Sequence, residues 1–383
     1  MDRHGRFLAS VLASVLAGTL AAGSLRAADF QAGLSAYTAG DFAAALAEWQ
    51  PLAEAGDAVA QFNLGVMHQF AKGIAQDDAA AVHWYALSAA QGYAMAQSSL
   101  GVMHDFGLGT ARNDAEAALW YALAAAQGVA KAQNNLGLLH ETGRGVPRDL
   151  AEAERLYRLA ADQGYAKGQL NLGRLHEAGR GLPKDFAEAR RLYLLAAAQG
   201  DAEAQFLLGA MHDAGRGVTQ DFAEAARLYR LAADQGNAEA QFNLGAMHEA
   251  GEGVAKDPAE AARWYRLAVA EGHARAMTNL GVLHAAGRGV AQDEAEAVRL
   301  YAMAARLGNA TAQGNLSGKY ERGEGVAADP VTALVWAILG AEGGNPRATA
   351  ARDRLVAMLP EAEAAKARRR ADDCLASGYT ACN

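Results

Sequence analysis

The sequence predicts an all-α chain built as an array of short helix hairpins, and three observations carry that reading. Nine glycines, Gly56, Gly92, Gly128, Gly164, Gly200, Gly236, Gly272, Gly308 and Gly344, stand 36 residues apart throughout. The pair Leu64-Gly65 recurs in the same register at Leu100-Gly101, Leu136-Gly137, Leu172-Gly173, Leu208-Gly209, Leu244-Gly245 and Leu280-Gly281, then decays to Leu316-Ser317. An Asp or Asn precedes each alanine-rich run, at Asp77, Asn113, Asp149, Asp185, Asp221, Asp257, Asp293 and Asp329. A period of this length marks stacked supersecondary units. The composition agrees. Many alanines and only 7 prolines favour helices, whereas 42 glycines belong at helix ends and turns.

From the N-terminus, Arg3 and Arg6 precede an apolar stretch, Phe7 to Ala22, and a small residue closes Leu25-Arg26-Ala27. This layout is that of a secretory signal peptide over residues 1–27, cut after Ala27. Sixteen apolar residues fall short of the roughly 20 that cross a bilayer, so the mature chain is expected to have no membrane span. Loss of Asp2, Arg3, Arg6 and Arg26 moves the net charge from −8 to −10, with 32 basic against 42 acidic residues. So acidic a chain is a poor partner for nucleic acid or an anionic membrane.

Residues 28–56 read as a shortened first unit. Tyr37, Asp41-Phe42, Ala45, Trp49 and Gly56 fit the pattern, but the Gly-x-Gly-Val turn is missing. Setting Tyr37 against His68 implies a deletion of five residues. Eight 36-residue units follow over 57–344.

One unit, 237–272, shows the local physics. Ala240, Leu244 and His248 share one face of a first helix, here the A helix. Small residues such as Ala240 and Gly245 admit a close neighbour. Gly251-Glu252-Gly253-Val254 is a turn with two glycines available for positive φ. Asp257 then caps a second, B helix, Pro258 occupies its first position, and Glu260 completes a capping-box spacing. Ala261, Trp264-Tyr265 and Ala268 point inward, and Gly272 ends the helix. The same Glu recurs at Glu116, Glu152, Glu188, Glu224 and Glu296. The tail, 345–383, reads as a helix over Arg347–Leu359 and a second from Pro360 to about Cys374. Cys374 and Cys382 are the only cysteines, and an even count in an exported chain favours a disulfide tying down the end.

The unit Ala-x-x-x-Leu-Gly-x-x-His-x-x-Gly-x-Gly-Val-x-x-Asp, followed by Ala-x-x-(Trp/Leu)-Tyr-x-x-Ala-Ala-x-x-Gly, closely resembles the Sel-one-like repeat, a branch of the tetratricopeptide-repeat superfamily. The resemblance covers about residues 30–344. It implies a right-handed superhelix of helix hairpins whose A helices line a concave groove. It also implies an adaptor that binds proteins, some relatives restraining envelope sensor kinases. One cysteine-rich branch is similar to penicillin-binding proteins and β-lactamases and carries a cysteine pair in every repeat. This chain has none in its repeats. Where the family commonly has tyrosine, this chain has His68, His104, His140, His176, His212, His248 and His284, and Tyr320 keeps the family residue.

Several constellations invite a chemical role. Seven histidines in register suggest a metal, but packed neighbours lie about 8–10 Å apart, whereas two zinc ligands must approach within about 4 Å of each other. Packing near the end of the A helix, with the ring bonded to a turn carbonyl, is expected instead, and neither metal nor cofactor is expected. The B-helix aromatics are expected in the core. Asp105, Glu141, Glu177, Asp213, Glu249 and Glu321 and the turn arginines Arg144, Arg180, Arg216 and Arg288 form either a charged ridge that selects a partner or a solvated edge.

The A-helix positions between the packing residues hold Gln61, Asn63, Gln97, Ser99, Gln133, Asn135, Gln169, Asn171, Gln205, Gln241, Asn243, Gln313 and Asn315. These are the candidate groove residues. A row of amides can bond an extended peptide backbone, and the competing use is hydrogen bonding between repeats. No Gly-x-Ser-x-Gly elbow, P-loop, dinucleotide fingerprint or His-Glu-x-x-His occurs, so no catalytic residue is expected. The sequence therefore reads as a monomeric, exported, periplasmic scaffold for a protein or peptide. Its rivals are an enzyme of the β-lactam-hydrolysing branch and a secreted binder of host proteins.

Overall fold

The computed structural model describes residues 24–380 and Cys382; the signal-peptide reading therefore lies outside the described residues except for its last four positions. Twenty helices and no strand occur among the described residues, and consecutive helices pack as the hairpins of an α-solenoid. None of these helices is long and apolar enough to cross a membrane.

Two compact units are distinguished. The first runs through Leu172, with the turn Arg180–Leu182. It holds α1 (Ser24–Ala39), α2 (Phe42–Glu54), α3 (Ala58–Gln69), α4 (Asp78–Ala90), α5 (Ala94–Phe106), α6 (Asp114–Ala126), α7 (Ala130–Thr142) and α8 (Leu150–Asp162). The boundary falls inside α9 (Ala166–Ala178). The second unit holds α10 (Phe186–Ala198), α11 (Ala202–Ala214), α12 (Phe222–Ala233), α13 (Ala238–Ala250), α14 (Pro258–Ala270), α15 (Ala274–Ala286), α16 (Glu294–Arg306), α17 (Ala310–Arg322), α18 (Pro330–Glu342), α19 (Pro346–Met358) and α20 (Glu361–Ala376). Odd-numbered helices through α17 are A helices and the even-numbered ones through α18 are B helices.

Within a repeat, the Leu-Gly pair and the B-helix tyrosine are two halves of one contact. Gly245 sits directly against the Tyr265 ring: a Cβ there would lie 2.7 Å from Cδ1 and Cε1. Gly101, Gly137, Gly173, Gly209 and Gly281 face Tyr121, Tyr157, Tyr193, Tyr229 and Tyr301 in the same way. The helix gives up a Cβ so that a large ring can be buried completely. Repeat eight confirms the logic by exchange, since the glycine position becomes Ser317 and the tyrosine position becomes Ala337, both fully buried. The ring is gone and the helix regains a Cβ, while the register is kept.

The turn glycines behave as their spacing implies. Gly251 and Gly253 have φ +85° and +67°. Gly253 also rests on the carbonyl of Phe222, the first residue of the preceding B helix, so a side chain would part the two repeats. Gly272 closes α14 at φ +80°, and its N–H donates to the Val269 carbonyl.

Capping differs from expectation in one half. Asp257 is extended, and its carboxylate accepts from the N–H groups of Ala259 and Glu260. The reciprocal bond of a capping box is absent, because the Asp257 N–H donates to the carbonyl of His248 at 2.8 Å. Glu260 pairs instead with Arg263 at 2.7 Å, as Glu152, Glu188, Glu224 and Glu296 pair with the arginine three residues on. The histidines are corrected similarly. It is their main-chain carbonyl that receives the turn. The ring reaches a turn carbonyl at His248, 3.3 Å from Ala255, whereas Nδ1 of His68, His104, His140, His176, His212 and His284 is buried without a partner.

The first hairpin also needs a new register. Gly33 faces the Trp49 ring as Gly65 faces Tyr85, and Asp41 N–H donates to Ala36 as Asp77 N–H donates to His68. Ala36, not Tyr37, is the counterpart of His68, and four residues rather than five are missing.

At the other end, α19 and α20 fall close to the helices expected in the tail, and Cys374 is joined to Cys382 with Cα atoms 4.6 Å apart. α20 does not form a hairpin with α19. It packs on α18, where Ala364, Ala367, Ala371 and Cys374 share one core with Val335 and Leu339.

Candidate functional site

The glutamines of the candidate row are not groove residues. Gln61, Gln97, Gln133, Gln169, Gln205, Gln241 and Gln313 are all buried. Each Nε2 donates to a carbonyl at the end of the preceding B helix: Gln61 to Ala53 at 3.0 Å, Gln133 to Ala125 at 3.2 Å, Gln205 to Ala197 at 3.3 Å, Gln313 to Ala305 at 3.1 Å. Gln97, Gln169 and Gln241 do the same to Ala89, Ala161 and Ala233. The last carbonyls of a helix have no partner within it, and a glutamine eight residues on is long enough to cross the turn and bond one. Its Oε1 in turn accepts from the glutamine that ends its own repeat, as Gln91 donates to Gln61, Gln127 to Gln97, Gln163 to Gln133 and Gln235 to Gln205, at 2.7–2.8 Å. Where that terminal residue is Glu271 or Gly343, no donor is available, and the Oε1 atoms of Gln241 and Gln313 are buried without a partner. The row is a joint between repeats.

The asparagines two residues further on divide. Asn63 is buried, while Asn135, Asn171, Asn243 and Asn315 are half-buried on the A helices. In the first unit they connect. Asn171 Nδ2 donates to Asn134 at 2.9 Å, and Asn134 donates to Asn135 at 3.2 Å. Leu138 on α7 is 40% exposed, and Phe106, the last residue of α5, is 68% exposed. An amide strip flanked by exposed apolar side chains therefore runs from α7 to α9.

The acids after the histidines are spent on the fold. Buried tyrosine hydroxyls donate to them: Tyr157 to Glu141 at 2.7 Å, Tyr193 to Glu177 at 2.8 Å, Tyr265 to Glu249 at 3.0 Å. The turn arginine of the following repeat takes a second oxygen, as in Arg180–Glu141 at 2.8 Å, Arg216–Glu177 at 3.0 Å and Arg288–Glu249 at 2.9 Å. Burial holds the Tyr193 and Tyr265 phenols neutral far above their ordinary range. Arg144 bridges Asp105 and Asp114, and its guanidinium, with that of Arg112, keeps the Asp114 carboxyl well below the usual carboxylate range. Sequence reading saw the acids and arginines; it missed the tyrosine hydroxyl, 16 residues away, that converts the ridge into a bonded ladder. Among the described residues no group of His, Cys, Asp and Glu is arranged to hold a metal ion.

Comparison with known proteins places this architecture. The Sel1 repeat model matches residues 58–93, 94–129, 130–165, 166–201, 202–237, 238–273, 274–309 and 310–345. The chain is similar to a protective antigen of uropathogenic Escherichia coli strains that displays an SLR fold, with 29% identity and a TM-score of 0.54, covering 92% of this chain and 85% of that one. It is similar also to a Sel1 repeat protein from Oxalobacter formigenes, with 33% identity and a TM-score of 0.58 over 64% of this chain and 96% of that one. No curated protein matches. The chain thus belongs to the Sel1 repeat family, whose solenoids are general scaffolds for protein–protein interaction and typically carry no catalysis.

Proposed function

We propose that the protein is an exported, periplasmic scaffold that holds an extended segment of a partner protein against its A helices. The observation that carries this is the half-buried amide pair Asn135 and Asn171, linked through buried Asn134, with exposed Leu138 one turn along α7 and exposed Phe106 at the end of α5. Side-chain amides both donate and accept, so they match a peptide backbone, and the apolar neighbours supply contact area. The glutamines, being buried, take no part. Within this role the specific reading is restraint of an envelope signalling protein, with the scaffold acting as a monomer and without affinity for nucleic acid.

A photo-crosslinking residue at position 135, with a second placed at exposed Asp162 as a control, tests the reading in envelope extracts. A discrete protein adduct at 135 and none at 162 is expected. Equal labelling at both positions, or none, would sink it. Edman sequencing of the processed chain tests export, with Ala28 as the expected first residue. Nitrocefin turnover by the purified protein would revive the hydrolase alternative.

A further inference from the structure

The B helices from α4 to α14 each keep one exposed, outer stripe. In each of six repeats a leucine sits there in the 36-residue register: Leu87, Leu123, Leu159, Leu195, Leu231 and Leu267. One turn earlier, Arg155, Arg191, Arg227, Arg263 and Arg299 are tied to their glutamates and keep the face polar. α6 departs from this. Leu119 stands at the arginine position and is 53% exposed, with Leu123 beside it at 41%. Ala115, Ala122 and Ala126, all exposed, complete an apolar face, and Leu87 and Leu159 widen it in the flanking repeats of the same unit.

The chain itself contains a covered version of that face. The register counterparts of Leu119 and Leu123 in α18 are Val335 and Leu339, which are 1% and 0% exposed. They are covered because α20 packs on α18 through Ala364, Ala367, Ala371 and Cys374, four small residues on one helical stripe whose opposite side is charged. Small residues let two helices approach to about 8–10 Å, so that leucine-sized side chains of one fit between the ridges of the other.

We propose that the outer face of α6 is a docking site for an amphipathic helix of a partner protein, one whose contacting stripe is built of small residues like that of α20. The inference deepens the scaffold reading by naming a second face and the chemistry of what it takes. An exposed face of two leucines and three alanines, where five other repeats carry a paired arginine, is the pattern of an interaction patch, and helix-on-helix seating is a recurrent mode of recognition.

The test uses the full chain and a fluorescein-labelled peptide of residues 361–376 with Cys374→Ala, read by fluorescence anisotropy. Saturable binding is expected, weakened at least tenfold by Leu119→Arg. That variant installs the residue that five other repeats carry, opposite Glu116, so an unchanged melting temperature is expected. Arg191→Leu, which recreates the α6 pattern in α10 beside exposed Ala187, Leu194, Leu195 and Ala198, is expected to add a second site of similar strength. No saturable binding overturns the proposal, and so does binding that Leu119→Arg leaves intact, since the peptide would then be displacing α20 from α18. Sedimentation showing a dimer dissolved by Leu119→Arg overturns it too, by naming a second copy as the occupant. A failed peptide experiment alongside a position-135 adduct would remove this face and leave the A-helix reading standing; the converse would remove only the latter.

Discussion

Gly245→Ala inverts the usual effect of filling a helical glycine. In an open helix this change stabilises by about 1 kcal/mol, because alanine gives up less backbone freedom on folding. Here the added Cβ would lie 2.7 Å from two carbons of the Tyr265 ring and 3.3 Å from the Ala261 carbonyl. The ring is fully buried, so it cannot step aside. Overpacking of this kind costs about 1–3 kcal/mol; with two ring carbons met at 2.7 Å the upper half of that range applies, which leaves a net loss of about 1–2 kcal/mol after the propensity gain. Gly318→Ala supplies the contrast within α17. Its Cβ would meet only the guanidinium of Arg322, at 2.9 Å, the far end of a flexible side chain. A gain of about 0.5–1 kcal/mol is expected there. Urea unfolding followed by circular dichroism gives both numbers. Pairing Gly245→Ser with Tyr265→Ala, which copies repeat eight, should cost less than the sum of the two single changes, since each relieves the strain or void left by the other. A Gly245→Ala variant as stable as the parent, or a cycle with no coupling, would refute the argument that glycine and tyrosine form one contact.

Three further outcomes follow from the same joints. Glu271→Gln provides the missing donor for Gln241 Oε1 and is expected to raise stability by about 1 kcal/mol, measured by the same urea titration; no gain would mean that Oε1 is satisfied otherwise. The carboxyls of Glu152, Glu188, Glu224, Glu260 and Glu296 are lowered by the arginine three residues on, and Arg322 and Lys319 take Glu324 from its ordinary 4.5 down to about 2. Because the folded values lie below the unfolded ones, their stabilisation is whole above about pH 4.5 and is lost as the pH falls through the folded values. The urea midpoint should therefore drop between pH 4.5 and 2, and a midpoint that rises in that window would contradict the pairing. Reduction of the Cys374–Cys382 bond, which spans eight residues, should loosen the tail by about 2–3 kcal/mol in the chain-entropy view, seen as faster amide exchange in α20 with the exchange of α3 to α8 unaltered.

Most of the architecture could be read from the chain because period, caps and glycines all report the same backbone events. Asp257, Pro258 and Gly272 act through main-chain geometry, and that geometry is local. What could not be read is side-chain reach. The positions between the A-helix packing residues grouped Gln205 with Asn243, yet the longer glutamine turns back eight residues to a helix terminus while the shorter asparagine stays half-exposed. Glu260 had two possible partners, the cap N–H and Arg263, and a charged pair at one turn's distance prevailed. The first hairpin was misaligned because Tyr37 resembles the family tyrosine in type, whereas the position is set by Gly33 packing on Trp49. The apolar face of α6 was visible in Leu119 and Leu123 but had no meaning until α20 was seen on its counterpart.

The glutamine joints give the array a mechanical grain. Each one fastens the end of a B helix to the start of the next A helix, so tearing a single joint releases one hairpin and leaves its neighbour fastened. Stretched from its two ends in an optical trap, the chain should lengthen in a staircase. Each tread would correspond to one freed 36-residue segment, roughly 120–130 Å of slack, with the weakest treads at the hairpins closed by Glu271 and Gly343.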